Sequence, residues 1–298
     1  MPTLLLINPT AGHGRASRLA ADAVAAAKAC FGDLTVQETT GPGDAVRIAR
    51  DHARQGLARC LVVGGDGTAH EAANGLLQVE AHQRPAFGVI PGGTGNDFAK
   101  LCRTLGKKPA DAVQGLAHGT TRVIDVGWAW GETFLNSVGI GFDAEVARVV
   151  NASQSGSGIL AYLLAVAKVL RYYEPFDLEL EANGERWTER VLLCEIGNGP
   201  VVGGGFRITP GAVFDDGLFD VCVVKEQSLL GILQKLPLVM LGKHTHLKGV
   251  RSFRTTRLCI HSRSGPLRAQ FDGELRSTAE SMELTLQPAA LTVLIAPA

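Results

Sequence analysis

The stretch Leu61-Val62-Val63-Gly64-Gly65-Asp66-Gly67-Thr68 runs from three apolar residues into a glycine-rich loop that carries one carboxylate and one hydroxyl. A short apolar run bounded by glycines reads as a strand buried on both faces, and residues 71–78 after the loop suit a short helix. Such a strand-loop-helix unit belongs to a parallel sheet, whose ligand-binding edge lies at the carboxyl ends of its strands. Outward from this stretch the unit recurs. Residues 4–7 lead into Asn8-Pro9-Thr10-Ala11-Gly12-His13-Gly14, and residues 87–90 lead into Pro91-Gly92-Gly93-Thr94-Gly95-Asn96-Asp97. Glycine admits backbone N–H groups close to an anion and tolerates positive φ, while a following helix N-terminus adds a favourable dipole. Three such loops at one sheet edge describe a pocket for nucleotide phosphates.

The rest of the first part keeps the same βα rhythm. Residues 15–31 form an alanine-rich helix, residues 34–38 a second strand, and Asp44 is placed to cap a helix running to residue 55. Residues 97–105 suit another short helix. This is a Rossmann-like α/β domain with a mostly parallel sheet and helices on both faces, expected over residues 1–127, with the final strand, 288–298, a candidate for completing its sheet. After Asp125 the rhythm changes. Phe176, Leu178, Leu180 and Ala182 alternate with acidic residues, and Asn183-Gly184 favours a tight hairpin into 187–194. Further strands are expected at 218–224, 257–261, 267–271, 282–286 and 291–295, with helices near 159–172 and 229–241. Residues 128–287 therefore read as a mainly antiparallel β-sandwich domain.

Composition sets outer limits. The 298 residues are 46% hydrophobic and 19% charged, with 29 basic residues against 29 acidic ones, so no overall field points to nucleic acid. The six cysteines are scattered without Cys-x-x-Cys spacing and read as buried hydrophobes in a reducing compartment. The chain enters a strand at once, which leaves no charged leader, and its most apolar later stretches are broken by Lys168, Gln234, Lys235 and Pro237. A cytoplasmic protein that meets membranes only peripherally is expected. His244, His246, Lys248, Arg251 and Arg254 form a modest basic run that reads as a solvated segment, with contact to anionic headgroups near a lipid entrance as the alternative. Tyr162, Leu163, Val166 and Leu170 read as core.

The second loop is the most informative chemically. Gly64 and Gly65 let a phosphate lie on the backbone, Thr68 offers a hydroxyl donor, and Asp66 offers a carboxylate to a metal. The first loop matches neither the Gly-x-Gly-x-x-Gly fingerprint nor the Walker pattern, which disfavours an ordinary dehydrogenase or P-loop NTPase. Magnesium asks for few protein oxygens because it keeps several waters. Asp97, also read as a helix N-cap, and Asp125, also read as a turn residue, could join Asp66 in such a network.

The order Asn-Pro-x-x-Gly, Gly-Gly-Asp-Gly-Thr and Pro-x-Gly-Thr-x-Asn-Asp-Phe-Ala resembles the diacylglycerol kinase catalytic domain, in particular the bacterial soluble lipid kinases. The likeness continues through Asn74-Gly75-Leu76, Asp125-Val126-Gly127, the run from Asn136 to Asp143, Asn198-Gly199, Gly203-Gly204-Gly205-Phe206, the run from Asp215 to Val221, and Asp272-Gly273-Glu274. The resemblance implies ATP in a cleft between domains, contacted by Asn8, Thr10, Gly12, Thr39, Gly64, Gly65, Asp66, Gly67, Thr68, Glu71, Gly92, Gly93 and Thr94. It implies a catalytic Mg²⁺ network on Asp66, Asp97 and Asp125, and a structural metal on Asp216 with Val213 and Leu218. It also implies Asp272 as general base, with Glu274 sharing or orienting that task. Read without the resemblance, Asp272-Gly273 is equally a hairpin tip.

The implied activity is transfer of the ATP γ-phosphate to a hydroxyl of diacylglycerol or a related lipid presented at a membrane surface. A second copy of the chain is a candidate partner. A kinase of a soluble substrate, like the NAD kinases, and a non-catalytic nucleotide or lipid sensor remain alternatives. His70 and Asp44 depart from the family pattern, which often has asparagine and histidine there, and the first loop carries no lysine.

Overall fold

The computed structural model describes residues 1–152, 159–276 and 279–297. Two compact units divide the chain: Met1–Asp125 with Pro288–Ala298, and Val126–Gln287. Ala298, the last residue of the expected sheet completion, lies outside the described residues.

The first unit alternates β1 (Thr3–Ile7), α1 (Ala11–Cys30), β2 (Leu34–Glu38), α2 (Asp44–Arg54), β3 (Arg59–Gly64), α3 (Asp66–Leu77), β4 (Ala86–Pro91), α4 (Asp97–Leu101), α5 (Pro109–His118) and β5 (Thr120–Ala129), of which β5 continues into the second unit. Strands β4, β3, β1 and β2 lie side by side and parallel. β1 is buried along its whole length, and β3 and β4 are buried beyond their first residues, as their unbroken apolar sequences require. Helix α1 offers this sheet Ala16, Ala23 and Ala27, small enough for close approach. Its first residues, Gly12, His13 and Gly14, have left-handed backbone, so regular helix starts at Arg15. The register aligns Ile7 with Val63 and Val63 with Ile90, so the three glycine loops leave the sheet at one level.

Asp44 corrects an expectation. It is the first residue of α2, whose cap is Gly43, and its carboxylate turns back to accept from the backbone N–H and hydroxyl of Thr40, at 2.8 and 2.5 Å. Those bonds and Arg47 hold its pKa down to about 2.

The second unit contains β6 (Glu132–Phe134), β7 (Ser137–Gly141), α6 (Phe142–Ala152), α7 (Ile159–Val169), β8 (Phe176–Ala182), β9 (Glu185–Gly197), β10 (Phe219–Lys225), α8 (Leu229–Met240), β11 (Val250–Thr255), β12 (Arg257–Ser262), β13 (Ala269–Phe271), β14 (Glu274–Arg276) and the first part of β15 (Ser281–Ile295). Its strands pair antiparallel in the order β14-β13-β7-β9-β8-β12-β15, with β10 between β9 and β11. Asn183 and Gly184 both take positive φ, the hairpin conformation that this dipeptide favours. The core gathers alternate residues of these strands around Phe134, whose ring lies 5.5 Å from that of Phe219 and 5.9 Å from that of Phe271. The two strands expected at 282–286 and 291–295 are one, β15. It bends at Ala289, which has left-handed backbone, and its end returns parallel to β4 in the first unit.

The basic run after α8 divides: His246, Lys248 and Arg254 are exposed, as a solvated segment would be, whereas His244 and Arg251 are engaged by the fold. His244 is buried with Nε2 3.0 Å from the Ile208 carbonyl oxygen, and burial lowers its pKa. Arg251 lies over the Trp187 ring at 3.8 Å and pairs with Glu185, both within β-sheet structure. Tyr162, Leu163, Val166 and Leu170 pack into the apolar clusters around α7, as expected. Among the described residues no helix is long and apolar enough to cross a membrane.

Candidate active site

In the first unit the three loops touch through their glycines. A methyl group added at Gly12 would lie 2.3 Å from the Gly92 carbonyl oxygen, and one at Gly93 would lie 2.4 Å from the Gly65 Cα. Backbones this close exclude side chains, and the loops form a surface of main-chain groups. Side chains then lock it. Asn8 Nδ2 donates to the Thr68 hydroxyl at 2.9 Å, and Asn8 Oδ1 accepts from the Thr10 N–H and hydroxyl at 3.1 and 2.9 Å. Asn96 takes left-handed backbone and brackets Gly93, accepting from its N–H at 2.9 Å and donating to its carbonyl at 2.8 Å. Nothing in the local sequence pattern announces this role for Asn96. Asparagine is the side chain that both tolerates αL and carries an acceptor and a donor for one backbone unit.

Helix α3 starts at Asp66, so its N-terminus opens on this surface. Around the edge, Glu71 Oε1 accepts from the Gly43 N–H at 3.0 Å, Thr39 is buried and Thr94 is exposed. His70, the departure from the family pattern, is buried in α3 beside Asn74, whose amide donates to the His70 carbonyl at 3.0 Å.

The acids divide. Asp66 Oδ1 accepts from the Phe98 N–H at 3.1 Å, and Asp97 Oδ1 pairs with Lys100 at 2.5 Å. Their other oxygens flank Gly95: a methyl added there would lie 2.7 Å from Asp66 Oδ2 and 3.9 Å from Asp97 Oδ2. Asp125 is buried, and its Oδ1 accepts from the N–H of Ala289 at the bend of β15, 2.8 Å away. Among the described residues no three His, Cys, Asp or Glu side chains are arranged as a direct metal cage. Two adjacent carboxylates nonetheless fit magnesium, a hard cation that keeps several waters and needs only one or two of them.

In the second unit, several motif segments that lie far apart in sequence meet. Asp272 and Gly273 both have positive φ and form the tip of the β13–β14 hairpin, as the dipeptide suggests. The Asp272 carboxylate is also held inward: Oδ2 accepts from the Leu135 N–H at 2.8 Å, and Oδ1 accepts from those of Asn136 and Ser137 at 2.8 and 3.1 Å. Successive N–H groups converging in this way form a nest for an anion. Asn198 steadies the same turn, its amide donating to the Leu135 carbonyl at 2.8 Å, while the Asn198 and Gly199 N–H groups donate to the Asn136 carbonyl, each at 2.8 Å. Glu274 begins β14 immediately after the tip.

Beneath the tip lies a buried polar cluster that sequence reading missed. Gln270 Oε1 accepts from the Gly273 N–H at 2.6 Å, and Gln270 Nε2 donates to Asp143 Oδ2 at 2.9 Å. Asp143 accepts a second bond from the Tyr162 hydroxyl. Gly139 makes room, since a methyl there would meet Asp143, Gln270 and Glu195 within 2.7 Å. Glu195 is fully buried, and neither oxygen finds a partner in hydrogen-bonding geometry, although the Ser137 hydroxyl is close enough to favour its charged form. Burial first, then the charges of Asp143 and Asp272, push its pKa well above the ordinary range. The signal for Gln270 was its place two residues before Asp272 in an apolar strand, where a polar residue needs a partner.

Glycine loops at one edge of a parallel α/β sheet, and in the other unit an Asp-Gly-Glu turn anchored on an antiparallel sheet, are the features to set beside known kinases. The chain belongs to the diacylglycerol kinase catalytic-domain family, whose members are phosphotransferases with an alcohol acceptor. The pattern of the diacylglycerol kinase catalytic domain matches residues 2–129, and that of the YegS C-terminal NAD kinase beta sandwich-like domain matches residues 136–295. A diacylglycerol kinase of Mycobacterium tuberculosis is 30% identical over 295 residues, 97% of this chain and 93% of that one. One of Bacillus subtilis is 27% identical over 271 residues, 91% and 88% of the two chains. A crystal structure of a diacylglycerol kinase from Bacillus anthracis superposes with a TM-score of 0.77 at 25% identity, covering 99% of this chain and 97% of that one.

Proposed function

We propose that the chain transfers the γ-phosphate of ATP, with Mg²⁺, to a hydroxyl of diacylglycerol or a related lipid that it meets at a membrane surface. The observation that carries this reading is the backbone contact of Gly12 with Gly92 and of Gly65 with Gly93, a cradle that a single Cβ would fill. Gly12, Gly64, Gly65, Gly67, Gly92 and Gly93 offer main-chain N–H groups to phosphate oxygens. Asn8, Thr10 and Thr68 form the bonded rim, while Thr39, Glu71 and Thr94 stand around the nucleotide. Asp66 and Asp97, joined by Asp125 as the resemblance implies, would hold Mg²⁺, which when bound supplies positive charge against the phosphate oxygens.

The acceptor oxygen of the lipid attacks the γ-phosphorus, the bond from that phosphorus to the β–γ bridging oxygen breaks, and ADP leaves. The hydroxyl proton passes to Asp272, whose orientation is fixed by the N–H groups of residues 135–137, with Glu274 beside it. Positioning and charge neutralisation account for most of the acceleration, and a carboxylate locked in place suits that division. The test is incubation with Mg²⁺ and ATP over total membrane lipid, with NAD as a separate acceptor, and mass identification of products. A phosphorylated lipid is expected; phosphorylation of NAD alone would overturn the reading.

A further inference from the structure

The structural metal implied for Asp216, Val213 and Leu218 meets a donor set that does not fit it. Asp216 Oδ1 already accepts from the Leu218 N–H at 3.1 Å, closing the turn on itself, and Asp216 Oδ2 is paired with Nη2 of Arg254. The same guanidinium reaches a second carboxylate, its Nε donating to Asp220 Oδ2 at 3.0 Å. The fold prescribes this pairing. In the β10–β11 ladder Asp220 lies directly opposite Arg254, and the Arg254 carbonyl accepts from the amide of Asn183 at 2.8 Å. Gly211 lies close to Asp220, where an added methyl would come 2.8 Å from Asp220 Oδ1. The two carboxylate side chains are 25% and 19% exposed and the arginine 45%, so one planar fork bridges both acids at a half-exposed edge of the sheet. A divalent cation on Asp216 would have to displace that fork or sit against a charge of its own sign.

We propose that the Arg254 guanidinium stands in the place of this cation, joining Asp216 and Asp220 and tying the turn before β10 to β11, so that the second unit folds without a divalent ion. Arginine and a divalent metal answer the same need here, a positive centre between carboxylates. The arginine supplies it covalently and independently of metal supply.

The test is thermal melting of the full chain in EDTA and in millimolar Ca²⁺ or Mg²⁺. Wild type and Asp216→Asn are expected to respond to cation alike, because any response then comes from elsewhere in the chain. Arg254→Met is expected to melt about 2–4 °C lower than wild type in EDTA. It should also gain a saturable Ca²⁺-dependent rise that Arg254→Met/Asp216→Asn lacks. A cation-dependent rise in wild type that vanishes in Asp216→Asn would overturn the proposal, and so would an Arg254→Met protein that melts like wild type in EDTA. Should Arg254→Met fail to fold, the comparison of wild type with Asp216→Asn still decides.

Discussion

Asp272 and Ser137 are bonded twice: the Ser137 N–H donates to Asp272 Oδ1 at 3.1 Å, and the Asp272 N–H donates to the Ser137 carbonyl at 3.0 Å. A carboxylate at a hairpin tip ordinarily turns to water. Here the β7–β13 ladder is extended by one residue, and the Leu135 and Asn136 N–H groups complete the hold. The side chain cannot swing without breaking its bonds to the N–H groups of residues 135–137, so the proposed proton acceptor is positioned by the fold and not by its substrate.

Asp272→Asn removes the acceptor and also presents an amide N–H₂ to backbone donors. The expected outcome is a fall in kcat of about 10²- to 10⁴-fold, with a lower melting temperature and unchanged affinity for nucleotide. Steady-state kinetics beside a nucleotide titration checks it. Turnover at the wild-type rate would remove Asp272 from the chemistry.

Gln270→Leu leaves the Gly273 N–H and one oxygen of Asp143 without their present partner. Gly273 is exposed and its N–H can turn to water, but the Asp143 oxygen is buried, and for it a loss of about 1–3 kcal/mol is expected in denaturant unfolding. Activity should fall as well, because the tip that carries Asp272 loses its support.

Glu195 gives a pH signature. Its folded-state pKa lies well above 4.5, so above about pH 4.5 the folded chain holds a proton that the unfolded chain releases. Stability from this group is complete below that pH and falls as pH rises, by about 1.4 kcal/mol per unit until the folded-state value is reached. Glu195→Gln, neutral at every pH, should match wild type near pH 4 and gain on it steadily toward neutrality in melting experiments. Parallel curves for the two proteins would mean that Glu195 is charged in the fold.

Much of this was legible in the sequence, for reasons particular to each element. Apolar runs such as residues 4–7 and 87–90, short and bounded by glycine loops, read as strands buried on both faces, and Asn183-Gly184 favours a hairpin. Strand β11 was missed because Arg251 and Arg254 look like a solvated basic run, whereas the first stacks on Trp187 and the second joins two aspartates across the ladder. Asp44 looked like a helix cap because the residue type is right; its carboxylate serves Thr40. The bond from Ala289 to Asp125 spans 164 positions, and no local pattern announces it. The same holds for Gln270 and Asp143, 127 positions apart, whose pairing depends on sheet order and not on spacing.

Two glycines of the first unit separate close approach from backbone freedom. Gly93→Ala forces a methyl to within 2.4 Å of the Gly65 Cα and should abolish nucleotide binding and lower the melting temperature. Gly14→Ala meets open space at φ 80° and should cost only about 1–2 kcal/mol of left-handed strain. Calorimetric titration with ATP distinguishes them. Equal binding by both variants would show that the loop contact does not form the cradle.

The most direct measurement is transfer of labelled γ-phosphate from ATP into organic-extractable lipid by the full chain, with and without Mg²⁺. Label in the lipid phase for the wild type, lost on chelation and lost in Asp272→Asn, is the expected result. Nucleotide binding with no label in any lipid would contradict the account.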